Sequence, residues 1–260
     1  SATELSGVSA GSLNLTSAGA ITDATSIDVS GPATFDAGTN DITLGDDAGD
    51  TTNFGSLAAS GNTVTITEDS ATDLAGGTTT NLTLSSAGAI TDSGPLTNTG
   101  TVNLNADGGA ADITLDEAGS STGALDLTGA VTTVDRDAAI EFGGGNVSSL
   151  SATSGTGISD SGTITSTGGL VATTDAGNGD ITLDDIDVSG GTVELNTDGT
   201  GNATINNASA LDFAASNVGG DLDVTAGGNI TESGALTVAG NGSFTTANGS
   251  DILLASQPND

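Results

Sequence analysis

One phrase is written four times along this chain. SAGAITD stands at 17–23, SAGAITDSG at 86–94, SGTGISDSG at 154–162 and AGGNITESG at 226–234. Their isoleucines, Ile21, Ile90, Ile158 and Ile230, recur at a nearly constant interval. Three more markers keep the same phase. DITL occupies 41–44, 112–115 and 180–183, and DILL 251–254. Leu5, Leu74, Phe142 and Phe213 each follow an acid, and Ile66, Val134 and Ile205 each stand eight residues before the Leu or Phe. Self-similarity at a fixed period, here about 70 residues, marks an array of small domains or a stacked solenoid.

Within a repeat the apolar residues come in alternating pairs: Leu82 and Leu84, Val102 and Leu104, Ile113 and Leu115, Leu125 and Leu127. Alternation puts one member of each pair on a buried face and its Thr, Asn or Asp neighbour on the other. No stretch sustains helical spacing, and Gly, Asn, Asp and Ser interrupt every few residues. The segment from Leu82 to Val147 reads as about nine short strands. Nine strands fit three rungs of a three-faced solenoid at about 23 residues per rung, a length typical of solenoid repeats. The alternative is one β-sandwich per repeat. Such a sandwich would have to fill its core with few side chains and neither Trp nor Tyr, because Leu, Ile, Val and Phe make up 54 of 260 residues. A solenoid avoids this, since each rung is covered by its neighbours. The expected organisation is a single all-β solenoid over 1–260, with repeats at roughly 1–72, 73–140, 141–211 and a partial one at 212–260. In the phrase itself, Ala-Gly makes a corner, Ile points inward, and the Asp caps local backbone N–H groups.

These residues resemble a known class. LTLSSAGAITDSGPL, NDITL and GNTVTITE look like the repeat regions of large secreted bacterial exoproteins, the filamentous-haemagglutinin-type and autotransporter-like β-helix adhesins. The resemblance spans the whole chain. It implies a right-handed parallel β-helix, an extracellular or cell-surface location and a role as an adhesive or structural stalk. The family's secretion domain carries Asn-Pro motifs, and none occurs here; the three prolines stand in GPA, GPL and QPN.

Charge narrows the function classes. There are 34 acids against the single Arg136, a net charge of −33, with no His and no Cys. Nucleic acid and anionic membrane surfaces require Lys and Arg, so neither is an expected partner. No apolar run is long enough to insert in a membrane. Thiolate metal sites, disulfides and His-based triads each lack a required residue. Arg136, between Asp135 and Asp137, reads as charge compensation at a turn. A carboxylate pair for glycoside cleavage would lack basic and aromatic residues to hold a sugar. The expectation is a non-enzymatic protein.

The acids nonetheless cluster. Asp46, Asp47 and Asp50 follow the first DITL, Asp116 and Glu117 the second, Asp184 and Asp185 the third. If these corners stacked, they could share Ca²⁺, which takes six to eight oxygens; the bland reading is a solvated corner. No polar cap is visible at either end, so the solenoid is expected to continue, into the rest of a longer repeat chain or onto copies of itself end to end. The function this favours is a fibre, stalk or sheath on a microbial surface. The alternative is an adhesin module binding a glycan or a host protein, with Ca²⁺ as a stabilising ion.

Overall fold

The computed structural model describes residues 1–255 and 257–259. The chain forms two compact units, Ser1–Ala130 and Val131–Asp260. Each is an all-β, right-handed parallel solenoid with about 20 residues per coil. Strands pair in parallel with the coil before and the coil after, which overturns the sandwich alternative.

In the first unit Thr3, Ile21, Ile42, Val64, Leu82, Val102 and Leu125 hold one register position on successive coils. A second face stacks Val8, Ile27 and Thr52, then Thr72, Ile90 and Ile113. A third stacks Leu13, Ala33 and Leu57. In the second unit Ile140, Ile158, Ile181, Ala203, Leu222 and Gly242 form one column. Leu211, Ile230 and Ile252 form another, and Ser216 and Leu236 a third.

These columns revise the coil count. From Ile21 the first column climbs three coils to Leu82, and Ile90 then lies on the next face. From Ile158 the second unit climbs three coils to Leu222, and Ile230 again lies on the next face. One sequence repeat is therefore three coils and a third, or ten faces, rather than nine faces in three longer rungs. The phrase does not return to the same corner. It moves on by one face.

The alternation found in the sequence builds the core. Ile21, Ile90, Ile158 and Ile230 are all buried, as are Leu74, Phe142 and Phe213. Leu5, on the first coil, is half-buried. Phe35 meets Phe54 edge to face at 5.5 Å. Full burial of such side chains contributes about 1.5–3 kcal/mol each, and stacking like on like leaves little void between coils.

Candidate functional site

The phrase is a stitch between coils. Its serine reaches back: Ser17 Oγ donates to the Ser1 carbonyl, Ser86 Oγ to Ser70 and Ser154 Oγ to Ala138, each 16 residues earlier. Its glycine lies against the same earlier coil. A Cβ at Gly88 would stand 3.0 Å from the Ala71 backbone nitrogen, and one at Gly228 2.9 Å from Ala210. Neither glycine has a positive φ, so close approach of two backbones, not a left-handed turn, favours glycine here, while the third copy carries Thr156 at the same position. The isoleucine then reaches forward, Ile21 onto Ile42, Ile90 onto Ile113, Ile158 onto Ile181 and Ile230 onto Ile252. The phrase and the DITL motif are thus neighbours across one coil.

The acid of the phrase also reaches forward, into the acidic loop that follows DITL. Both oxygens of Asp23 accept the Gly45 N–H at 3.1 Å. Asp92 Oδ1 accepts from the Asp116 N–H at 2.7 Å and the Glu117 N–H at 3.3 Å. Asp160 accepts from the Asp184 N–H at 3.0 Å and the Asp185 N–H at 2.9 Å. Glu232 accepts from the Gln257 N–H at 3.0 Å and from Asn259 Nδ2. The sequence suggested a local cap. The backbone donors instead lie a full coil further on, and four acids perform one task in four repeats. The signal was present as an acid always two residues after the isoleucine, with DITL or DILL always one coil downstream.

Burial, above all, raises the carboxyl pKa of Asp23 and of Asp160 above the usual range. The loop carboxylates add to it, Asp46 and Asp50 beside Asp23 and Asp184 beside Asp160, while the loop N–H groups oppose it. The candidate metal residues sit around these caps. Asp46 and Asp47 are exposed and Asp50 is half-buried, Asp116 is exposed and Glu117 half-buried, and Asp184 and Asp185 are exposed. Asp185 also accepts from Thr163 Oγ1 at 2.9 Å. Among the described residues no three acids converge in an arrangement that could hold a metal ion. Within the first unit, the Asp46–Asp50 loop leaves the first face and the Asp116–Glu117 pair leaves the second, because the repeat advances by one face. The two acidic loops therefore occupy different corners instead of stacking at one.

A second repeat position was missed altogether. Two residues after Ile66, Val134 and Ile205 stand Glu68, Arg136 and Asn207, only 1%, 3% and 0% exposed. Glu68 accepts the Phe54 N–H at 2.9 Å, Ser70 Oγ at 3.0 Å and Thr72 Oγ1 at 2.6 Å. Asn207 does the same kind of work, accepting the Val188 N–H at 2.7 Å and donating to the Ala210 carbonyl at 2.8 Å. In both cases an inward polar side chain takes the place of a carbonyl that the neighbouring coil does not supply. Burial drives the Glu68 carboxyl pKa upward, against the pull of its hydrogen bonds. Arg136 is buried at the end of the strand Leu125–Arg136, not at the turn where its two flanking acids suggested charge compensation.

A helix long and apolar enough to cross a membrane does not occur among the described residues. The fold and its stitched corners define a tandem-repeat parallel β-solenoid. The chain belongs to the family described as Repeats of unknown function (DUF5649), which matches four successive stretches, 1–58, 61–128, 128–196 and 200–260. Neither the curated proteins nor the solved structures contain a match to it.

Proposed function

We propose that this solenoid is a non-enzymatic, extracellular structural module, a length of fibre, stalk or sheath on a microbial surface. The observation that carries the reading is the corner machinery. Every repeat uses its isoleucine and acid to tie one coil to the next, three of the four add the serine and three the glycine, with Ala226 and Thr156 the exceptions, so the recurring residues serve continuity. Repeat solenoids gain stability from such neighbour contacts and extend by adding more of them. The acidic, lysine-free composition suits a secreted surface, and the resemblance to adhesin repeats points the same way. Further coils, from the rest of a longer repeat chain or from a second copy, would continue the parallel ladders; Phe244 is half-buried and Ile252 and Leu253 are exposed on the outermost described coil.

Electron microscopy with and without a chelator tests this. Extended particles with a repeat near ~4.8 Å along the axis support the module. Dissolution by the chelator would turn the acidic loops into metal sites. Compact particles that never extend would sink the fibre reading, and turnover of an acidic glycan would sink the non-enzymatic one.

A further inference from the structure

We propose that the core of the first unit holds one structural water, bound between Asn98 and Thr79. Asn98 stands inward at the end of the strand Ile90–Asn98 and is 6% exposed. Its Nδ2 donates to Thr79 Oγ1 at 2.9 Å and to the Thr80 carbonyl at 2.9 Å. The Thr80 carbonyl fixes the amide this way round, because the flipped amide would set one oxygen against another. Oδ1 is thereby left buried, and among the described residues it meets no donor. Thr79 has the opposite surplus. Its Oγ1 already accepts from Asn98, so its own proton has to be donated elsewhere. Both residues line a small, largely enclosed cavity, walled otherwise by apolar side chains such as Leu74, Leu96 and Val102. Its size suits a single water.

The cavity has a cause in the sequence. Leu74 stands where the two later repeats carry the larger Phe142 and Phe213. Two residues on, Gly76 is buried and brings no side chain. Its φ of 110° is one that residues with a Cβ rarely adopt, so the space is not filled from there. The position of Asn98 points the same way. Eight residues after the isoleucine of the phrase stand Val29, Asn98, Ser166 and Val238. The valines ask for no partner, and Ser166 Oγ donates to the Ser148 and Gly169 carbonyls at 3.4 Å. Of the four, Asn98 alone carries an acceptor with nothing opposite it. A buried acceptor left in that state is costly. A water that accepts from the Thr79 hydroxyl and donates to Asn98 Oδ1 removes the cost. An apolar guest would fill the space and leave the oxygen unpaired.

Magnetic relaxation dispersion of the water oxygen, measured on the full chain, counts long-lived internal waters and is blind to the exchange of hydroxyl protons. Asn98→Val, which installs the residue of the first and last repeats, should lower the count by about one relative to wild type. Leu74→Phe, which fills the space, should lower it by the same amount. Asn103→Val, outward and exposed beside Val102, should leave it unchanged. Circular dichroism checks that the variants fold, and if Leu74→Phe does not, Asn98→Val decides alone. Equal counts in wild type and Asn98→Val overturn the proposal. Uptake of xenon by the wild type, abolished by Leu74→Phe, would then identify the cavity as dry and apolar.

Discussion

Glu68 sits where the alternation of the chain demands an aliphatic residue, and its burial has a measurable sign. Its carboxylate accepts three hydrogen bonds, yet desolvation outweighs them and the pKa rises. Glu68→Gln keeps an acceptor for the Phe54 N–H and sheds the buried charge, so it should be at least as stable as wild type at pH 7 in urea unfolding. Glu68→Leu leaves the Phe54 N–H and the Thr72 hydroxyl without their acceptor and should cost about 1–3 kcal/mol. If Glu68→Leu were neutral, the side chain would be filler and not a substitute rung. Hydropathy could not reveal this position. Glu68, Arg136 and Asn207 differ in charge and look like surface residues in the sequence, and only the phase they share with Ile66, Val134 and Ile205 connects them.

At the scale of the element, the four-residue stitch makes separable claims. Asp23→Ala should release the loop after DITL, seen as faster hydrogen exchange at the Gly45 N–H, with a loss of about 1–3 kcal/mol. Asp23→Asn, which retains an acceptor, should lose less. Gly88→Val drives a side chain into the coil that holds Ala71 and should lower Tm by more than an exposed Gly11→Val, whose Cβ would meet nothing within 4 Å. Equal effects would remove close approach as the reason for the glycine. The inward isoleucines, the parallel solenoid and the repeat length were all legible, because alternation and period are properties of the chain alone. The coil count was not. Strands such as Thr52–Glu68 run round a corner without a break, and register steps vary between coils, so counting alternating pairs merged faces. The acids were also read as short-range. A pattern along the chain carries no sign of a hydrogen bond to a residue on the next coil.

For the whole molecule the raised carboxyls fix the direction of pH dependence. An acid with a folded pKa above its unfolded value binds its proton more readily in the native state, so stability falls as pH rises through that window. Asp23, Glu68 and Asp160 all act this way, and the mutual repulsion of a −33 chain adds to them. Tm should rise as pH is lowered from 7 toward the ordinary carboxylate range, and Glu68→Gln should flatten that rise. A Tm that drops over the same interval would mean that hydrogen bonding to the charged forms outweighs burial. Salt should raise Tm at pH 7 for the same electrostatic reason. The third of a coil left over in every repeat has a different kind of effect. Each repeat inserted into a run of this solenoid lengthens it by about 16 Å, taking ~4.8 Å per coil, and turns whatever follows by a third of a revolution. Repeat number therefore sets a compass bearing as well as a distance. Gaining or losing one repeat re-aims everything beyond it, and three must change together for the bearing to be restored.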